Sequence, residues 1–313
     1  MTEEPKSSTT SMVVGGVPVE AAFAEAFDMK ATRVVITAAD DGWLRDAVAA
    51  FTGFGTSVIA CDMEIAVERW IDPSESPDGR VGASVLALAM GRKALIKNVP
   101  TRVGQCLLTC PSTSVFAGLP ATRTEPDRRV PLGKTIRFFG DGYQISKRFP
   151  SRHLWRVPVM DGEFVCEHET GSCDGIGGGN FLIIGKSFDA VSAATRAAIS
   201  AIDPLPDVIT PFPGGAARSG SKVGSKYEAL FASTNEAFCP SLRGLVDSNL
   251  HADDESVLEV VIDGLSFEAI ATAIRHGIHA AIDAAGDGLT RITAGNYGGK
   301  LGPHHFHLHQ VLA

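Results

Sequence analysis

The sequence predicts an α+β fold, with helices packed on mostly antiparallel sheets in two related lobes, and three observations carry that expectation. First, a strand followed by a helix recurs at residues 33–51, 181–202 and 257–284, with meandering strands between. Second, 313 residues exceed what one core usually covers. Third, a 44% apolar and 20% charged composition is that of an ordinary globular chain, which excludes disorder for most of it.

Taken in order, MTEEPKSSTTSM lacks a basic start followed by an apolar run, so it reads as a disordered arm over residues 1–12 rather than a signal peptide. The pattern from Ala21 to Met29 spaces Phe23 and Phe27 four apart and predicts a short helix. Arg33 to Ala38 reads as a strand. Leu44, Ala47, Val48 and Phe51 then recur at helical spacing, and Gly53 supplies a C-cap signal. Thr56 to Cys61 is expected as another strand, and Val81 to Met90 as a buried one bounded by glycines.

Leu119 to Leu132 is rich in Pro, Arg, Thr and Asp and reads as a solvated loop, followed by a strand over Thr135–Gly140. A lobe boundary is placed near Pro150, giving lobes at 13–153 and 154–313. Leu154–Val159 and Phe164–Glu167 form a hairpin through Asp161-Gly162. Gly171 to Gly179 is expected as a glycine loop, Asn180 to Gly185 as a strand, and Asp189 to Ile202 as a helix that ends before Pro204.

Pro211 to Asn235 has neither helical nor strand period, except for a helical turn near Tyr227 to Phe231. It is dense in Gly, Ser and Pro, and it carries Arg218, Lys222 and Lys226. Ordering such a segment costs entropy without apolar burial, so its composition points to ligand holding. After it, Val257–Ile262 is a strand. Ile270, Ile274, Ile278 and Ile282 mark a helix over Phe267–Ala284, and strands follow near Leu289–Thr293 and Phe306–Val311.

Several function classes fall away. A net charge of −8 with no basic run argues against nucleic acid as the main partner. The longest nearly apolar stretch, Val81–Met90, is too short to span a bilayer. Six cysteines without a CxxC pair read as reduced thiols of a cytosolic protein. Gly215–Lys222 mimics a phosphate loop, but Ser221-Lys222 reverses the required Lys-Ser order and no buried strand leads into it. The glycines of Gly175–Phe181 precede a strand, whereas a dinucleotide turn must follow one. His305, His307 and His309 share a strand face, yet no acid or thiol lies near them in sequence, so no metal is expected.

Glu259 is the informative acid. In Val257–Ile262 both strand faces are largely apolar, so a carboxyl there would be desolvated, raised in pKa, and able to donate a hydrogen bond as the neutral acid. A solvent-facing edge glutamate is the alternative.

The motifs FAEAF (23–27), VVITA (34–38), TGFGTSVI (52–59), SPDGR (76–80), VGQCLLT (103–109), FFGDGYQ (138–144), GGNF (178–181), PFPGG (211–215), SKVGSK (221–226), ASTN (232–235), TAGNYGGKLG (293–302) and HLH (307–309), in this order, closely resemble the formylmethanofuran:tetrahydromethanopterin formyltransferase family from about Val14 onward. The resemblance implies formyl transfer between a methanofuran-type amine carrier and N5 of tetrahydromethanopterin, both as substrates, with no bound cofactor. It implies two ferredoxin-like lobes, a homotetramer and, as in methylotrophs, association with a hydrolase complex that releases formate.

Matched motif by motif, the resemblance puts the reactive carboxyl at Glu259. Substrate contacts fall at Gln105, Gln144, Asn180, Pro213, Gly214, Gly215, Lys222, Lys226, Ser233, Asn235 and Asn296. The N–H groups of the 213–215 turn would hold an oxyanion, and the two lysines the acidic carrier tails. A carrier-binding subunit without catalysis of its own needs the same loop and stays open as a second class.

Overall fold

The computed structural model describes residues 12–119, 128–218 and 222–313. Nearly all of the expected N-terminal arm and the centre of the Pro211–Asn235 loop, residues 219–221, lie outside the described residues.

A short hairpin, β1 (Met12–Val14) and β2 (Val17–Val19), leads into β3 (Phe23–Thr37). Then come α1 (Asp41–Thr52), α2 (Val58–Cys61), β4 (Glu64–Ile71), β5 (Gly82–Ala89), α3 (Arg92–Arg102) and β6 (Ser114–Ala117). The hydrogen-bonded order β6-β3-β5-β4, all antiparallel, is the split βαβ arrangement of a ferredoxin-like sheet. It is extended by β7 (Arg129–Pro131), α4 (Gly133–Ile136), β8 (Ile145–Arg148), β9 (His153–Val159) and β10 (Gly162–Glu167), with β10 parallel to β6.

The second half repeats the plan with β11 (Glu169–Gly185), α5 (Phe188–Ile202), β12 (Val208–Ile209) and β13 (Ala216–Ala217). A small hairpin, β14 (Lys222–Val223) and β15 (Ala232–Ser233), precedes β16 (Ser256–Gly264), α6 (Phe267–Ala285), β17 (Leu289–Thr293), β18 (His304–His307) and α7 (Leu308–Leu312). Here the order is β17-β11-β16, with β12 and β13 both on the outer edge of β16.

The elements form for readable reasons. Asp40, Ser187 and Ser266 accept N–H bonds at the starts of α1, α5 and α6, satisfying first-turn donors. Ile270, Ile274 and Ile278 are completely buried in the second core, each worth about 1.5–3 kcal/mol. The α5 and α6 contact leaves no spare volume: a Cβ on Gly277 would lie 2.8 Å from the Phe181 ring and 2.9 Å from Ile202. Gly277→Ala is therefore expected to destabilise by about 1–3 kcal/mol in urea unfolding, despite alanine's better helix propensity.

The two sheets meet through their open faces. β5 is buried along its whole length because Val85, Ala87 and Ala89 face α1 and α3, while Leu86 and Leu88 join Met29, Ala31 and Ile209 in a cluster between the lobes. β3 and β11 pair directly, Phe27–Thr32 against Ser172–Gly177, so one strand of each sheet stitches the lobes together. The expected boundary at 153/154 does not separate the cores cleanly. β9 and β10 extend the first sheet, whereas Val17, Val19, Ala24 and Ala26 pack into the second core.

Five local expectations are corrected. The Ala21–Met29 helix is the start of β3: Phe23, Glu25, Phe27 and Met29 share one face, and pairing with β18 and β11 overrides the helical spacing. Gly171–Gly179 is strand rather than loop, since Gly175 packs against Leu88 and Ala31 where a side chain would not fit. Thr135–Gly140 is helical turn rather than strand, and Thr56–Cys61 contains the short α2. The final strand ends at His307, which puts His309 on α7 with Nε2 at 2.9 Å from the Val19 carbonyl.

Candidate active site

Strand alternation puts Val257, Glu259, Val261 and Asp263 on the open face of β16, away from α5 and α6. That face looks toward the first lobe across a cavity of about 340 Å³. Its walls come from both halves of the chain: Phe27 and Met29 of β3, Ile59 of α2, and Phe212 and Tyr297 with Glu259 from the second lobe. The lining is chiefly apolar, with carboxyl groups as its main ionisable members.

Glu259 is 8% exposed, and its carboxyl makes no hydrogen bond or ion pair with any described residue. Burial alone pushes its carboxyl up to about 7, because the charged form loses hydration and gains no counter-charge. At neutral pH it is poised between acid and base. Asn180 on the neighbouring strand lines the same cavity. Its Nδ2 donates to the Gly178 and Gly295 carbonyls at 3.1 Å each, and its Oδ1 accepts from the Gly295 N–H at 2.7 Å. A side cavity of about 40 Å³ adds Asn235, Arg218 and Cys239 to the surroundings of Glu259.

Three of the sequence candidates thus converge: Asn180, Asn235 and Glu259. Others lie elsewhere. Gln105 lines a separate, largely apolar hollow on the first lobe, and Gln144 accepts from the Gly142 N–H in a turn. Asn296 ties its loop to the Phe23 carbonyl at 3.2 Å, and Ser233 donates to Gly224 at 2.8 Å. Lys222 is ion-paired with Glu236, and Lys226 is exposed on the same hairpin.

The 213–215 turn, expected as an oxyanion cradle, lies apart from the Glu259 cavity. The Gly215 N–H bonds the Phe212 carbonyl at 2.7 Å, and Pro213 and Gly214 face a different cavity on the helix side of the sheet. It is Phe212, just before the turn, that reaches the Glu259 cavity.

The sequence reading missed three acids. Glu25 was hidden in the supposed helix; as a strand residue on the same face as cavity-lining Phe27 and Met29, it would have stood out. Glu64 and Asp263 are buried close to one another across the lobe junction. The Val58 N–H donates to Glu64 at 3.0 Å and the Gly178 N–H to Asp263 at 2.9 Å.

Burial raises the pKa of both groups, and for Asp263 the neighbouring Glu64 adds to the rise. A raised folded-state pKa gives stability that is complete below the ordinary carboxylate range and is lost as pH climbs through the folded values. The urea midpoint is accordingly expected to fall as pH rises above the ordinary carboxylate range. Asp263→Asn, which keeps a donor for Glu64 and removes one titration, should flatten that decline.

Among the described residues no group of three His, Cys, Asp or Glu side chains is placed to hold a metal ion, and no helix is long and apolar enough to cross a membrane.

Two family models match the chain. One describes formylmethanofuran–tetrahydromethanopterin formyltransferase and matches residues 12–159; the other describes its proximal lobe and matches residues 162–311. A formylmethanofuran–tetrahydromethanopterin formyltransferase of Rhodopirellula baltica is 53% identical over 321 residues, covering 99% of this chain and 96% of that one. A component of the formyltransferase/hydrolase complex of Methylorubrum extorquens is 43% identical, covering 97% of this chain and 98% of that one.

In solved structures, the formyltransferase of Methanosarcina barkeri superposes with a TM-score of 0.90 at 43% identity, covering 96% of this chain and all of that one. A chain of the Methylorubrum extorquens complex with methylofuran superposes at 0.91, also at 43% identity, covering 97% and 99%.

Proposed function

The chain belongs to the formylmethanofuran–tetrahydromethanopterin formyltransferase family, and from that premise we propose that it moves a formyl group between a methanofuran-type amine and N5 of tetrahydromethanopterin in the cavity beneath Glu259. The observation that carries this reading is a buried, unpaired carboxyl with a pKa near 7 at a cavity shared by two lobes.

The chemistry asks little of side-chain nucleophilicity. N5 attacks the formyl carbon, the carbonyl π electrons move to oxygen, N5 gives up its proton, and the tetrahedral adduct collapses by expelling the carrier amine, which takes up a proton. Protonated Glu259 donates to the oxygen as it becomes negative and can pass its proton to the departing nitrogen. A preorganised donor of this kind contributes about 3 kcal/mol to lowering the barrier. Phe27, Phe212 and Tyr297 offer flat apolar surface for the furan and pterin rings, and the cavity walls hold the two carriers in line, converting the encounter into an effectively unimolecular step. The carriers act as substrates, and the reaction scheme calls for no bound prosthetic group.

The relative in a formyltransferase/hydrolase complex supports a hydrolase-type partner for this chain in oxidation of one-carbon units to formate. Exposed Phe138, Phe139, Tyr143 and Met160 support protein contacts on the first lobe, including assembly into a tetramer. The direct test is the purified chain alone, mixed with formylated carrier and tetrahydromethanopterin. Appearance of the formylated pterin without any other protein is the expected result. Binding of both carriers without transfer would instead make the chain a carrier-holding subunit.

A further inference from the structure

Glu25 has no part in the chemistry just described, yet it is among the most heavily engaged side chains near the cavity. Its two oxygens accept four backbone N–H bonds from the loop between β17 and β18: Tyr297 at 2.7 Å and Gly299 at 2.8 Å on Oε2, Leu301 at 2.6 Å and Gly302 at 2.7 Å on Oε1. Gly298 and Gly299 have φ values of 73° and 69°, left-handed backbone that curls the loop around the carboxylate. A Cβ at Gly302 would lie 2.3 Å from the Ala26 carbonyl oxygen, so the loop is pressed onto β3.

The same loop starts at the reacting group. The Gly295 carbonyl accepts from the Glu25 N–H at 3.3 Å and from Asn180, and a Cβ placed on Gly295 would lie 3.5 Å from Glu259 Oε1. We propose that Glu25 is a positioning residue: by clamping residues 294–302 onto β3 it seats Gly295 beside Glu259 and keeps water off the reacting carboxyl. The inference rests on the reading of Glu259 as the acid of the reaction.

Burial pushes the Glu25 carboxyl up, but the four N–H bonds outweigh that and bring it down to about 2. It is therefore ionised throughout the working range and contributes no titration of its own near neutrality. Among the described residues, the ionisable groups lining the cavities at Glu259 are Glu64 of β4, Glu25 of β3, Tyr297 of the loop, and Arg218 and Cys239 of the side cavity, with Asp263 farther along its own strand. Burial is the cause of the raised Glu259 value, so admitting water at the loop is what would lower it.

The experiment is the pH profile of kcat/KM for Glu25→Gln and Gly302→Ala. The amide of Glu25→Gln turns an NH₂ toward two of the four N–H donors. Gly302→Ala leaves the carboxylate in place and lifts the same loop from β3. In both, the alkaline limb expected near pH 7 in the wild type should move down by about one pH unit or more, with kcat at pH 7 falling about tenfold. A limb at its wild-type position in folded Gly302→Ala, or in folded Glu25→Gln, would overturn the proposal whatever the loss of rate, because a merely structural clamp lowers activity without moving the titration. A wild type lacking the limb removes the reading of Glu259, and this one with it, whereas variants alone failing to shift an existing limb removes only this one.

Discussion

Glu259→Ala is expected to lower kcat by about 10²–10³-fold, while Glu259→Gln loses only about tenfold, because the amide still offers an N–H to the developing oxyanion. The contrast separates two roles of one carboxyl. Donation to the oxygen survives in glutamine; proton delivery to the leaving amine does not. If both variants lose activity equally, donation is not the larger contribution and proton transfer takes its place.

The same substitution has a stability consequence. Glu259 is held neutral in the fold, with a pKa raised from 4.5 to about 7, so its contribution is complete below pH 4.5 and lost as pH rises to about 7. Above that, glutamine should be the more stable residue by about 3 kcal/mol in urea unfolding, since moving a pKa tenfold in proton affinity corresponds to about 1.4 kcal/mol.

The second large effect lies at the lobe junction. Arg33 of β3 donates from Nε to Glu68 at 2.7 Å and from Nη2 at 2.5 Å, and it also pairs with Asp207 at 2.7 Å. Glu68 accepts further bonds from the Ser84 hydroxyl at 2.7 Å and the Asp207 N–H at 3.0 Å. Glu68 belongs to the first lobe and Asp207 to the second, so one guanidinium fixes their relative seating. Arg33→Met leaves a 7% exposed carboxylate without its counter-charge. The expected cost is about 3–5 kcal/mol, read from urea unfolding at pH 7. A double change that also replaces Glu68 by Leu should recover much of the loss, since the penalty comes from the orphaned charge rather than from missing attraction.

The periodic parts of the fold could be read in the sequence. Both long helices of the second lobe and the Val81–Met90 strand carry burial patterns that tertiary contacts reinforce. The misreadings share a physical cause. Phe23 and Phe27 satisfy both a helical and an alternating strand pattern, and only pairing with β11 and β18 decides between them. The glycines of 171–179 look like a loop because the reason for them, close approach of the other lobe, is a long-range contact.

At the candidate site, Glu259 stood out in the sequence as a carboxyl in an apolar strand, but a solvent-facing edge glutamate fitted the same pattern, and its burial is what the fold adds. Asn180 and Asn235 followed from their motifs. Glu64 and Asp263 were not legible, since neither local sequence betrays that the two meet across the junction. The basic loop proved a weaker guide: Lys222 is engaged by Glu236, and it is Phe212 rather than the glycines after it that reaches the cavity.

The central claim is that Glu259 acts as a neutral acid, and the pH dependence of kcat/KM for formyl transfer tests it most directly. The wild type should be fully active at pH 6 and fall through an apparent pKa of about 7 as the carboxyl ionises, and Glu259→Gln should show no such limb. A wild-type profile that is level from pH 5.5 to 8.5, or a limb that persists unchanged in Glu259→Gln, would contradict it.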